Sequence, residues 1–230
     1  MALQSGQPAD HYARAYSSRL HPLHVFHRRR LDRISSLVPQ QTKVLDAGCD
    51  AGVLASLLVD KGCQVVGVDV RAPSIKLARQ QCPEAQFHVR DIRNLRLNER
   101  FDVIVCTDVL EHLMEPQRKR AVSRLLAHLE PGGLIVISYP SRLYFAAEPL
   151  WRRLRRVLYG DAGWDDDDVH IPIRSLSLPG CETLATGTVS THHGLGRRGG
   201  TSADRQPAFA QLRCRRARYV LSGSGGMAGG

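Results

Sequence analysis

The sequence is poor in aromatic residues, 6% Phe, Trp and Tyr, and has no apolar run near the roughly eighteen residues that a membrane-spanning helix requires. Its first twenty positions hold Asp10, Arg14 and Arg19 without an apolar block, so no secretory signal is read there and a soluble chain is expected. The six cysteines, at 49, 63, 82, 106, 181 and 214, include no Cys-x-x-Cys pair and no spacing of a zinc knuckle. A reduced, cytoplasmic protein is the simplest expectation. What is present, 43% hydrophobic and 23% charged residues in 230, suits one globular domain with a substantial core and leaves little room for a second large one.

The net charge of +10 raises nucleic acid or an anionic surface as a partner only if the excess lies on the folded part. Residues 1–172 carry 24 basic and 20 acidic side chains, whereas residues 173–230 carry 8 and 2. The basic excess therefore belongs mainly to the tail, and a nucleic-acid partner is not expected.

Between residues 43 and 139, short β-rich runs alternate with amphipathic stretches, the pattern of crossover units on a parallel sheet. Strands are expected over 43–46, 64–68, 85–89, 101–107 and 134–139, and helices over 53–61, 74–81 and 116–129. Gly62 and Gly132-Gly133 stand where helices should stop. The expected fold is α/β, a Rossmann-like doubly wound and mostly parallel sheet with helices on both faces.

Residues 1–42 read as a helical cap. Within it His24 to Val38 is amphipathic, with Val25, Leu31, Ile34, Leu37 and Val38 apolar and Arg28, Arg29, Arg30 and Arg33 assigned to a solvated face. Residues 140–172 read as a lid or substrate segment, with a second amphipathic helix over 146–158 carrying Trp151, Leu154, Val157 and Leu158. Residues 173–230 hold eleven of the twenty glycines, no lysine and neither helical nor strand period. Such composition predicts disorder, with the strands that would complete the sheet missing. A shifted reading frame in a GC-rich gene produces such a break, and so does a natural basic tail; the nucleotide sequence downstream of codon 172 distinguishes the two.

The most informative segment is Val44-Leu45-Asp46-Ala47-Gly48-Cys49-Asp50-Ala51-Gly52, a strand entering a glycine-containing turn and then a helix. In an open α/β sheet ligands bind at the carboxyl ends of strands where strand order reverses. Gly48 and Gly52 admit close backbone approach, and the helix start presents unpaired N–H groups. The second strand ends at Asp69, where a carboxylate can accept both hydroxyl protons of a ribose. A dinucleotide site needs Gly-x-Gly-x-x-Gly, but the corresponding positions are Gly48, Asp50 and Val53. A nucleoside bearing an amino acid rather than two phosphates fits better, and S-adenosylmethionine is such a ligand.

Four ordered motifs carry a resemblance: the Asp46 to Gly52 loop, Asp69, the pair Asp91-Ile92, and Phe101-Asp102-Val103-Ile104 leading into Asp108-Val109-Leu110-Glu111-His112-Leu113. With the later Leu129-Glu130-Pro131-Gly132-Gly133-Leu134, residues 43–139 resemble a class I S-adenosylmethionine-dependent methyltransferase of the small-molecule type that includes the ubiquinone-biosynthesis O-methyltransferases. The resemblance implies that Asp46 and the backbone of Gly48, Cys49, Asp50 and Gly52 hold the methionine portion of the cofactor. It implies that Asp69, followed by Val70, takes the ribose, that Asp91 and the Ile92 N–H read the adenine, and that Asp108 and Val109 line the site. Taken singly, each acid reads as a helix cap or strand-end carboxylate. Asp50 departs from the family's glycine; its charge would repel the cofactor carboxylate if it pointed inward, so an Asp50→Gly chain is expected to bind at least as tightly.

Methyl transfer asks the protein to align donor and nucleophile and, for a hydroxyl acceptor, to remove a proton. His112 and His170 are the candidate bases, against readings as a structural helix-turn histidine and an exposed loop residue. No metal is expected, because adjacent Glu111 and His112 face different directions on a helix and no ligand cluster accompanies them. Leu143, Tyr144, Phe145 and Trp151 suggest an apolar wall suited to a quinone, lipid or glycan-pathway acceptor, although lid aromatics are more often core. The rival reading is a methyltransferase-like binding module without turnover, whose basic tail contacts RNA or a protein partner.

Overall fold

The structure, a computed structural model, describes residues 24–139, Leu178, Cys181–Gly187 and Phe209–Cys214. In chain order the elements are α1 (His24–Leu37), β1 (Lys43–Ala47), α2 (Val53–Val59), β2 (Gln64–Asp69), α3 (Ala72–Gln81), β3 (Gln86–Val89), β4 (Phe101–Thr107), α4 (Glu115–Ala127), β5 (Leu129–Ser138), β6 (Cys181–Gly187) and β7 (Phe209–Cys214). They build one sheet in the order β3-β2-β1-β4-β5-β7-β6. The first five strands pair in parallel and β7 pairs antiparallel with both β5 and β6. The chain runs outward from β1 in one direction as far as β3, then crosses back to β4, so the switch point lies between β1 and β4.

Strand alternation assigns the two faces of the sheet. Val44, Val65, Val103, Val105 and Val136 pack with Leu31, Ile34, Leu54, Leu58 and Ile75 of α1, α2 and α3. Their neighbours Leu45, Val66, Ile104, Cys106, Ile135 and Ile137 pack with Ala121, Leu125 and Leu126 of α4 on the opposite face. Both sides of each central strand are therefore covered, which is why these runs are continuously apolar rather than alternating.

Local chemistry ends the helices where expected. Gly62 takes φ 77° just beyond α2, letting the N–H of Cys63 reach back to the Leu58 carbonyl at 3.1 Å. Lys61 Nζ then donates to the carbonyls of Ser35 and Val38, tying the end of α1 to the end of α2. On the other face His128 closes α4: its Nε2 accepts from the Leu97 N–H at 2.9 Å, while Nδ1 lies 2.7 Å from the Arg124 carbonyl. Those roles require the proton on Nδ1. This contact and the Arg120 guanidinium on Asn94 Oδ1 seat the 90–97 segment against α4.

Two expectations need correction. The strands read as missing are present: Cys181–Gly187 and Phe209–Cys214 form a pair docked on β5. The sequence hides them because Cys-Glu-Thr-Leu-Ala-Thr-Gly and Phe-Ala-Gln-Leu-Arg-Cys lack the Val and Ile density of the central strands. The chain is also not wholly reduced, since the register sets Cys181 opposite Cys214 and the two form a disulfide. Smaller differences concern boundaries: β5 begins at Leu129 rather than 134, with a register shift between Phe101 and Val103 absorbing the Glu130 to Gly133 turn residues. The whole lid segment 140–172, with the helix expected over 146–158, Trp151 and His170, and the rest of the 173–230 tail lie outside the described residues.

Candidate functional site

The carboxyl ends of β1, β2 and β4 converge at the switch point. The loop after β1 is pinned to β2, with the N–H groups of Gly48 and Cys49 both donating to the Val68 carbonyl at 2.8 and 3.1 Å. Gly48 has φ 89°, and a Cβ there would stand 2.1 Å from Cγ2 of Val109. Glycine is thus required both by conformation and by the close approach of the segment after β4. Gly52, φ 80°, precedes α2, and a Cβ would press on Ala78 and Phe87 at 3.0 and 3.1 Å.

Three carboxylates gather around this loop. Asp46 is 1% exposed, and neither of its oxygens has a hydrogen-bond partner among the described residues. Burial, reinforced by the charges of Asp69 and Asp50, pushes its carboxyl up to about 7. Asp69, at the end of β2, accepts the N–H of Arg71 on Oδ1 at 2.8 Å and that of Asp50 on Oδ2 at 3.1 Å. Burial outweighs these donors and raises its carboxyl as well. Two backbone donors fix the carboxylate plane and leave lone pairs for two further hydroxyls.

Asp50 adopts φ 43°, the left-handed conformation that aspartate tolerates better than most residues. Its side chain turns toward the start of α3, where the Ser74 hydroxyl donates to Oδ1 at 2.7 Å and the Arg71 guanidinium lies 3.8 Å away. Burial still raises its carboxyl above the ordinary range, against the hydrogen bond from Ser74. Cys49 between them is buried, and burial together with Asp46, Asp69 and Asp50 drives its thiol well upward, so it is an inert packing residue.

The remaining predicted acids stand in a different setting. Asp91 caps the 3-10 turn Ile92–Asn94, accepting the Arg93 N–H at 2.8 Å, and its carboxylate also takes the Arg93 guanidinium at 2.6 to 3.0 Å. Burial works to raise its carboxyl, but the Arg93 hydrogen bonds prevail and hold it below the usual range. Asp108 follows β4 with φ 51°, accepts the Ser138 hydroxyl on Oδ1 at 3.0 Å and pairs through Oδ2 with Arg30 of α1.

Val70 is 47% exposed at the end of β2, whereas Ile92 is buried. His112 is half-buried in the turn Leu110–His112, with its N–H on the Val109 carbonyl at 3.1 Å. Glu111 beside it is fully buried, and its charge acts on Arg118 of α4.

Sequence reasoning missed Arg30, Ser74 and Ser138. Arg30 was assigned to a solvated face, yet its side chain is 14% exposed and meets Asp108. The signal was its spacing: residues 30, 34 and 38 recur every fourth position, and Ile34 and Val38 are core.

The site fits S-adenosylmethionine on two observations. A buried carboxylate without a hydrogen-bond partner, in a cluster of three acids, suits a ligand carrying an ammonium and a sulfonium and opposes a pyrophosphate. The Gly48 cradle leaves no room for a side chain beside Val109.

Comparison with known proteins points the same way. Ubiquinone biosynthesis O-methyltransferase of Coxiella burnetii (strain Dugway 5J108-111) is 32% identical over 136 residues, 56% of this chain and 57% of that protein. The chain thus spans little more than half the length of the curated relatives it matches. Among solved structures, the N-methyltransferase NodS of Bradyrhizobium japonicum WM9, in complex with S-adenosylhomocysteine, superposes with a TM-score of 0.57 at 19% identity, covering 93% of this chain and 100% of that one. Magnesium protoporphyrin IX methyltransferase (ChlM) of Synechocystis PCC 6803, with bound S-adenosylmethionine, gives 0.58 at 18% identity, covering 89% and 90%. At these identities the two structures speak for the fold alone. The family model described as "Methyltransferase domain" matches residues 17–176, well over half of the chain. The protein belongs to that family, that of the class I S-adenosylmethionine-dependent methyltransferases.

Proposed function

We propose that the chain transfers a methyl group from S-adenosylmethionine to an oxygen of a small-molecule acceptor of the quinone, lipid or glycan-pathway kind. The observation that carries the cofactor half of this reading is the unpartnered, buried carboxylate of Asp46 beside the glycine loop at the switch point. The 32% identity to a ubiquinone biosynthesis O-methyltransferase supports the acceptor half. A cytoplasmic location goes with it, and the Cys181–Cys214 bridge would there be open to reduction by cytosolic thiols.

Bound S-adenosylmethionine supplies a methyl carbon activated by a sulfonium. Asp46, Gly48, Cys49, Asp50 and Gly52 would hold its methionine portion. Asp69, held by its two backbone donors, would accept the ribose hydroxyls, and the exposed face of Val70 would lie against the base. Asp91 would accept the adenine amino group on lone pairs that Arg93 leaves open, with the Ile92 N–H on a ring nitrogen. Asp108 and Val109 would line the cofactor site at the end of β4, and the acceptor's hydroxyl oxygen would take the methyl group and release the thioether, its proton passing to His112 or His170.

The test is titration calorimetry with S-adenosylmethionine, followed by an assay for S-adenosylhomocysteine release with phenolic and lipid acceptors. Binding at micromolar affinity and release with a phenol support the proposal. Binding without release under any acceptor sinks the enzyme reading in favour of a binding module.

A further inference from the structure

The loop after β1 holds one residue that its methyl-donor role does not require. The resemblance implies a glycine where this chain has Asp50, and a left-handed φ of 43° is one that glycine adopts freely. The aspartate therefore adds a carboxylate rather than a conformation. That carboxylate is 20% exposed, bonded to Ser74 and close enough to Asp46 that its charge, with that of Asp69, raises the cost of ionising Asp46. Against three acids, Arg71 is the guanidinium recorded beside them, 3.8 Å from Asp50. Asp46, 1% exposed and without a hydrogen-bond partner among the described residues, is the acid of the cluster that a cationic ligand would satisfy.

Methyl transfer changes the charge of what occupies this place. The donor carries a sulfonium, an ammonium and a carboxylate, hence one net positive charge. The product has lost the sulfonium charge, because the electron pair of the broken C–S bond stays on sulfur as a neutral thioether. Repulsion between Asp50 and the ligand's carboxylate is common to donor and product and cancels in the ratio of their affinities. Attraction to the sulfonium does not cancel.

We propose that Asp50 is a specificity-determining residue that makes this site favour the cationic methyl donor over its neutral thioether product, easing product inhibition. The inference rests on the cofactor reading above and concerns affinity rather than the transfer step.

Calorimetric titration of the full chain and of Asp50→Asn with S-adenosylmethionine, S-adenosylhomocysteine and sinefungin tests it. Sinefungin bears an amine-substituted carbon in place of the sulfonium, and is therefore cationic without being a methyl donor. Asparagine keeps the size, the left-handed tolerance and the contact with Ser74 while removing the charge. The preference for both cationic ligands over the thioether should fall by about three- to tenfold in Asp50→Asn, the size expected for one charge removed from a partly solvated site. Asp50→Gly should show the same fall and carries the test if the asparagine chain does not fold. An unchanged ratio in the folded variants overturns the proposal while leaving the cofactor reading intact. Failure of the natural chain to bind any of the three overturns both.

Discussion

The two sides of the binding edge use the same residue in opposite electrostatic settings. Around the β1 loop, Asp46, Asp50 and Asp69 are partly or wholly buried, and burial raises each carboxyl, with Asp69 and Asp50 adding to the rise at Asp46 and Asp69 to that at Asp50. On the flanks, Asp91 is paired with Arg93 and Asp108 with Arg30. The difference separates acids whose charge a close guanidinium balances from acids whose charge burial leaves costly. Position at a strand end does not make that distinction; the closeness of the guanidinium does, 2.6 Å from Arg93 to Asp91 against 3.8 Å from Arg71 to Asp50.

The largest test of the contrast is pH. Asp46 loses its proton near 4 in the unfolded chain and near 7 in the folded one. Between those values the folded state holds a proton that the unfolded state has shed, so stability falls as pH rises from about 4 to about 7, by about 4 kcal/mol in total. Asp46→Asn should abolish most of that fall, as read by urea denaturation across the window. A variant with the wild-type slope breaks the comparison.

Gly48→Val, placed where the two sides touch, should cost about 3 kcal/mol and eliminate cofactor binding, because a branched side chain at φ 89° would collide with Val109. Thermal melts and titration read both effects. Asp69→Ala should weaken the cofactor by about ten- to a hundredfold through loss of paired hydrogen bonds. Asp91→Asn should act least on binding. Its pH effect has the opposite sign to that of Asp46: a lowered carboxyl contributes stability above the ordinary aspartate value that is lost as pH falls through the lowered one. The natural chain should lose more stability in acid than Asp91→Asn, and equal losses would deny Arg93 its role.

The parallel half was legible because its strands are buried on both faces and so carry dense Val and Ile, with Gly62 marking a real helix stop. The site acids were legible as strand-end residues in a fixed order. Their partners were not, since Arg30 reaches Asp108 from a helix more than seventy positions earlier and Ser138 from the strand after the next helix. Nor was the register that brings Cys181 to Cys214, which depends on a 33-residue separation that local pattern does not encode.

The sheet order places β7 between β5 and β6. On a ribosome β6 therefore emerges with no docking partner and must wait for the later segment to seat first. Until residues 209–214 are made, the outer edge of β5 stands as an open row of backbone donors and acceptors beside an already assembled parallel core. The nascent protein passes through a stage at which its five parallel strands are all made while the outer edge of β5 is adhesive, so a chain paused there is exposed to pairing with another copy.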